Sequence, residues 1–115
     1  MSLTLYGIPN CDTVKKARTW LETRGIAYTF HDYKKQGADP ARLSAWAGQA
    51  GWEKLLNRAG TTFRKLPEAD REGLDEGKAI SLMAANPSCI KRPVVEHPGG
   101  LLVGFKEAEW GDALS

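Results

Sequence analysis

Cysteine is scarce in this sequence. Only Cys11 and Cys89 occur among 115 residues, too few for the disulfide framework that holds small secreted domains together. His31 and His97 are the only histidines, and neither stands at ligand spacing from a cysteine or another histidine, so no metal site is expected. Long apolar runs are missing as well. The longest, Leu82-Met83-Ala84-Ala85, spans four residues, which excludes a membrane-spanning helix and a signal-peptide core. Charge of one sign is also lacking: sixteen Lys and Arg against fourteen Asp and Glu leave +2. That balance argues against a nucleic-acid-binding arm and leaves room for a local basic pocket. Together these absences describe a cytoplasmic protein with reduced thiols that binds neither membrane nor nucleic acid. At 42% hydrophobic content, residues 1–115 are expected to form one domain with a core that needs no staples.

The pattern that is present alternates strand and helix. Leu3 to Tyr6 reads as a short strand, ended by the turn residues Gly7-Ile8-Pro9-Asn10. From Asp12 the period changes, with Val14, Ala17 and Leu21 at helical spacing and Arg24-Gly25 closing the helix. Ile26 to Tyr33 reads as a second strand. Strand, helix and strand on short connections require the two strands to be parallel. Residues 38–87 then read as a helical insertion. Asp39-Pro40 caps a helix carrying Leu43, Trp46, Ala47 and Ala50 as far as Gly51, short apolar pieces follow from Trp52 to Leu56, and a helix from Asp75 or Glu76 to Asn86 turns Ile80 and Met83 inward. Val94 to Glu96 and Leu101 to Val103 form a hairpin, and Lys106 to Leu114 a closing helix. The expected class is α/β.

Cys11 is the residue with chemical content. It follows the first strand and opens the first helix, where unpaired N–H groups and the positive end of the helix dipole favour a thiolate, the nucleophilic form of the side chain. The tetrad Cys11-Asp12-Thr13-Val14 holds no second cysteine, so an adduct at Cys11 must be resolved by an external thiol or by Cys89. A phosphatase-type loop needs an arginine after five intervening residues, and that position is Ala17. Cys89, between a helix end and a strand, reads as a core residue. Arg92-Pro93 before an apolar strand is a candidate cis peptide beside an anion-binding arginine. Trp20, Trp46, Trp52 and Trp110 fall at core-compatible positions on the expected helices, and His31 and His97 read as a partly packed residue and a turn residue.

Four segments resemble the ArsC/Spx family, and within it the YffB-like branch. They are Ile8-Pro9-Asn10-Cys11-Asp12-Thr13-Val14-Lys15-Lys16-Ala17, His31-Asp32-Tyr33-Lys34, Thr61-Thr62-Phe63-Arg64-Lys65-Leu66 and Asn86-Pro87-Ser88-Cys89-Ile90-Lys91-Arg92-Pro93. The resemblance implies a thioredoxin-like fold with a helical insertion between the βαβ unit and the C-terminal hairpin and helix. It implies a cis peptide at Pro93, which with Asn10 would shape a glutathione pocket. In the family's arsenate reductases a single cysteine attacks the oxyanion, glutathione displaces the adduct and a glutaredoxin completes the reduction. Cys11 matches the nucleophile.

Of the three arginines that bind the oxyanion there, one falls on Arg92 and another on Asn57 or, shifted by one residue, Arg58. The third falls near Phe105-Lys106, where Lys106 is a point charge rather than a planar fork. Lys15 and Arg58 are the expected auxiliary cations. The implied activity is a glutathione-dependent thiol oxidoreductase, acting on a small oxyanion or thiol substrate as a monomer. It would use glutathione as co-substrate, glutaredoxin as a possible partner and no tightly bound cofactor. The alternative is an RNA polymerase-binding regulator of the Spx type without its redox switch, because Val14 stands where that switch has its second cysteine.

Overall fold

The computed structural model describes residues 3–114, which divide into two compact units. One unit holds the residues up to Asp32 and from Arg92 onward; the other is Tyr33–Lys91.

The first unit is a four-stranded sheet with helices. Its strands are β1 (Thr4–Gly7), β2 (Thr29–Asp32), β3 (Val94–His97) and β4 (Gly100–Val103), in the order β2-β1-β3-β4. β1 pairs parallel with β2, as the βαβ reading requires, and antiparallel with β3; β3 and β4 form the expected hairpin, closed by Pro98 and Gly99. Helix α1 (Asp12–Thr23) joins β1 to β2, and α8 (Glu107–Leu114) ends the chain. The core of this unit gathers Leu3, Leu5, Val14, Ala17, Trp20, Leu21, Val95 and Trp110. Each large apolar side chain withdrawn from water in this way contributes about 1.5–3 kcal/mol.

Helix α1 stops where its sequence says it should. The Gly25 amide donates to the Glu22 carbonyl (3.1 Å) and the Ile26 amide to the Leu21 carbonyl (3.0 Å), the two bonds of a Schellman closure, with Gly25 at φ +69°. Leu21 and Ile26 both pack in the core, supplying the apolar contact that accompanies this closure. The closure also corrects the expected second strand. Ile26 is occupied by the helix end, so pairing starts only at Thr29, and Tyr33 opens the next helix. The Tyr28 hydroxyl accepts from Arg18 Nε (3.0 Å) and donates to Glu22 (2.7 Å). Its pKa is raised chiefly by burial, so the neutral phenol is the form that the fold favours.

The second unit is helical. It runs through α2 (Tyr33–Gln36), α3 (Pro40–Ala50), α4 (Trp52–Leu55), α5 (Thr61–Arg64), α6 (Glu68–Arg71), α7 (Glu76–Ala85) and a 3-10 turn (Pro87–Cys89), and a bridge pairs Leu56 with Ile90. Asp39 caps α3 by accepting from the Ala41 amide (3.0 Å), and Asp75 caps α7 by accepting from Lys78 (2.8 Å). Leu43, Trp46, Leu55, Leu56, Met83 and Ile90 are fully buried. On α7 the deepest side chains are Ala79 and Met83, not Ile80, which is half-buried; the stripe is set one residue earlier than expected. Lys78 donates to the carbonyls of Ala69 and Glu72, which ties α7 back to the segment around α6.

Candidate functional site

Sheet register places the expected site residues of the first unit at one end. In the parallel pair Gly7 lies opposite Asp32, so β1 and β2 finish together. Tyr6 lies opposite Val94, so β3 begins where β1 finishes. Val94 lies opposite Val103, and the Gly104 amide donates to the Pro93 carbonyl (2.8 Å), so β4 ends there too. That end of the sheet therefore carries the Ile8–Cys11 turn, the Arg92–Pro93 peptide and the Gly104–Lys106 connection. The Arg92–Pro93 bond is cis.

Cys11 is the N-cap of α1, with extended backbone (φ −84°, ψ 124°). Its amide donates to the Ile8 carbonyl (3.2 Å) and its carbonyl accepts from the Lys15 amide (3.0 Å), so turn and helix both hold the residue. The thiol makes no capping hydrogen bond and is half-buried against the core. Cys11 stands at the start of a twelve-residue helix, the positive end of the dipole, with Asp12 the acidic residue of that first turn. Such a position suits a group that carries negative charge on sulfur during reaction.

The other expected site residues differ in placement. Arg92 is half-buried, Pro93 buried, and Asn10 and Lys15 exposed. Lys106 is 73% exposed and lies 3.7 Å from Glu109, a pair too wet to hold either side chain firmly. Arg58 belongs to the helical unit, where its guanidinium lies 5.4 Å from the Trp52 ring centroid. Cys89 is 1% exposed in the 3-10 turn of that unit, its carbonyl accepting from the Asn57 amide (2.7 Å). Neither cysteine is in a disulfide. His31 is half-buried with its ring 4.7 Å from that of Tyr6, whose hydroxyl donates to Glu96 (2.7 Å). His97 ends β3 and accepts from the Gly99 amide (3.2 Å), the turn role expected of it.

Gly7 matters in a way its sequence context conceals. It reads as a turn residue, yet it is the last residue of β1 and is buried beneath α1. A Cβ added there would lie 2.8 Å from Val14 Cγ2 and 3.3 Å from Cγ1, and Val14 is fully buried. Gly7 thus lets the helix that carries Cys11 approach the strand. Gly7→Ala is expected to cost about 1–3 kcal/mol. Adding Val14→Ala should restore part of the loss, a non-additivity that a denaturation-based double-mutant cycle reads directly. A Gly7→Ala variant as stable as the parent would show that the approach is not tight.

A four-stranded mixed sheet whose first βα turn presents one cysteine at a helix N-terminus, with a cis-proline opening the antiparallel hairpin, is a thioredoxin-like arrangement. Within that class the chain belongs to the ArsC family, whose profile matches residues 6–113. An uncharacterized protein of Haemophilus influenzae is 43% identical over 113 residues, covering 98% of this chain and 99% of the relative. The solved structure of a YFFB protein superposes with a TM-score of 0.97 at 57% identity, covering 99% of this chain and 100% of that one. An arsenate reductase (ArsC) related protein of Brucella melitensis is 59% identical with a TM-score of 0.77, over 97% of this chain and 93% of that one. The global transcriptional regulator Spx of Listeria innocua is 28% identical, over 93% of this chain and 82% of the relative.

Proposed function

We propose that this protein is a glutathione-linked thiol oxidoreductase of the arsenate reductase-like kind, with Cys11 as its single nucleophile. The observation that carries the reading is the half-buried Cys11 at the N-cap of α1, on the same sheet end as the cis Arg92–Pro93 peptide. In the exchange step the Cys11 thiolate attacks one sulfur of a disulfide, a Cys11–S bond forms, the old S–S bond breaks and the other thiolate leaves. An external thiol then attacks the mixed disulfide and returns Cys11 to its reduced form. Arg92 supplies the main positive charge for an anionic group on the incoming molecule, Lys15 an auxiliary one, and Asn10 and Pro93 the shape of the pocket. The implied place of work is the cytoplasm, where glutathione is abundant and reduced. No helix among the described residues is long and apolar enough to cross a membrane.

Oxidised glutathione is the first probe. Intact-mass spectrometry should show one glutathione added to the wild type and to Cys89→Ser, removed again by reduced glutathione. A glutathione adduct that forms equally well when Cys11 is replaced would overturn the assignment. Arsenate with glutathione and glutaredoxin forms a second arm, since the arginine set here is incomplete: Phe105-Lys106 offers no guanidinium. The resemblance to Spx supplies a different reading. Recovery of RNA polymerase with the tagged protein, without any thiol reactivity, would favour that reading over an enzyme.

A further inference from the structure

A groove of about 830 Å³ runs along the outside of α1, within the first unit. Its floor is aromatic. Trp20 and Phe105 meet edge to face at 6.4 Å, and the Arg24 guanidinium lies 4.0 Å from the Trp20 ring centroid. The indole N–H of Trp20 is buried and finds no acceptor among the described residues. The rim is cationic: Lys15, Lys16 and Arg24 line it against the single carboxylate of Glu107, and all four are exposed. Among the described residues no carboxylate pairs with any of the three cations, whereas Lys106 nearby does have such a partner. The local excess of positive charge stands out because the chain as a whole carries only +2.

The groove also has a direction. Residues four apart lie on one face of a helix, so Lys15, Thr19 and Thr23 form a stripe whose preceding member is Cys11, the N-cap. From Thr13 to Arg24 the helix rises roughly 16 Å at about 1.5 Å per residue. That is the length of about five residues of extended chain.

We infer that this groove docks an extended acidic segment of a partner protein and presents that partner's disulfide to Cys11. The docking half stands on the groove alone. The presentation half rests on the proposed thiol exchange. Arg24, whose guanidinium lies over an indole, can donate to a carboxylate, and the two lysines add point charges nearer the cysteine. An aromatic floor beneath the rim suits the aliphatic stems of glutamate side chains better than a bare anion.

The test uses a fluorescein-labelled five-residue peptide of glutamate and aspartate, with its glutamine and asparagine analogue as control, followed by anisotropy on the full-length protein. The acidic peptide is expected to bind at least tenfold more tightly than the amide analogue, and to weaken severalfold as ionic strength rises from about 0.02 to 0.2 M. Lys16→Glu with Arg24→Glu should abolish binding. Lys35→Glu with Lys54→Glu, an equal change of net charge on exposed residues of the helical unit, should leave it. Equal binding of the two peptides, or undiminished binding to the Lys16→Glu, Arg24→Glu protein, would overturn the inference. So would a single-stranded oligonucleotide of the same charge that binds more tightly and is lost in that variant, since the occupant would then be nucleic acid.

A kinetic arm separates the two halves. Each peptide extended by one cysteine and joined through it to a small thiol gives the disulfide substrate; the acidic one should react with Cys11 about tenfold faster at low salt than the amide analogue, with oxidised glutathione unchanged in the groove variant. If both peptide disulfides react equally fast, thiol exchange stands and presentation falls. If neither peptide disulfide nor oxidised glutathione reacts, the proposed function and the presentation half both fail, and anisotropy alone decides the docking.

Discussion

Cys11→Ser is expected to reduce disulfide exchange with oxidised glutathione to the uncatalysed background, a loss of at least about a thousandfold in rate, with no change in fold. Serine fits because the Cys11 side chain makes no capping bond and is only half-buried, so no buried partner is orphaned. Serine is also a preferred N-cap residue and can accept from the first-turn amides of α1, which makes the variant at least as stable as the parent. The chemical loss is total because an alkoxide is inaccessible where a thiolate is not, and because no second cysteine stands in the Cys11–Val14 tetrad to take over. Cys89→Ser is the informative companion. It buries a hydroxyl at a site 1% exposed, so it should lower stability while leaving the exchange rate unchanged. Rates from stopped-flow mixing and stabilities from urea titration distinguish the two effects. A Cys11→Ser protein that still exchanges, or a Cys89→Ser protein that does not, would require the nucleophile to be reassigned.

Trp110→Ala should produce the largest loss of stability of any single change in the sheet unit. Trp110 is 1% exposed, its ring meets Trp20 at 5.7 Å and Phe105 at 4.8 Å in edge-to-face geometry, and its indole N–H donates to the Gly104 carbonyl (3.1 Å). Truncation removes the transfer contribution and leaves a cavity, a cost of about 3–5 kcal/mol. Against a total stability of roughly 5–15 kcal/mol, that removes a large share of the margin against unfolding. Trp110→Phe separates packing from hydrogen bonding: it keeps an aromatic ring and loses the donor to Gly104, for a smaller cost of about 1–2 kcal/mol. Urea midpoints followed by far-ultraviolet circular dichroism measure both. A Trp110→Ala variant within about 1 kcal/mol of the parent would mean that neither burial of the ring nor its edge-to-face contacts stabilise the sheet unit as argued. Because Gly104 leads into the connection at the Cys11 end of the sheet, the same variant should also slow thiol exchange, though far less than Cys11→Ser does.

Much of this protein is determined by local rules that act within a few residues of chain. The first helix begins after Cys11 and ends at Arg24-Gly25 because a cap position and a left-handed glycine are local demands, and the Schellman bonds meet them. Asp39-Pro40, Asp75 and the Pro98-Gly99 turn are legible for the same reason. So is the parallel pairing of β1 and β2, which follows from the short strand-helix-strand connection. The proposed nucleophile is legible as well, since the place of Cys11 just ahead of a helix start is read from the sequence.

Tertiary structure decides what depends on residues far apart in the chain. The strand expected from Ile26 shortens to Thr29–Asp32 because Ile26 closes a helix against the core. The inward stripe of α7 centres on Ala79 and Met83 because neighbouring helices, not α7's own pattern, choose its buried face. The four-residue helices α2, α5 and α6 carry too few positions for a period to show. Gly7 looks like turn chemistry until Val14, seven residues later, is seen packed over it. The register that sets Pro93 and Gly104 beside the Cys11 turn joins segments more than eighty residues apart, and the cationic groove joins α1 to the start of α8. Periodicity names the residues of such a site, but only strand pairing and packing across the chain bring them to one place.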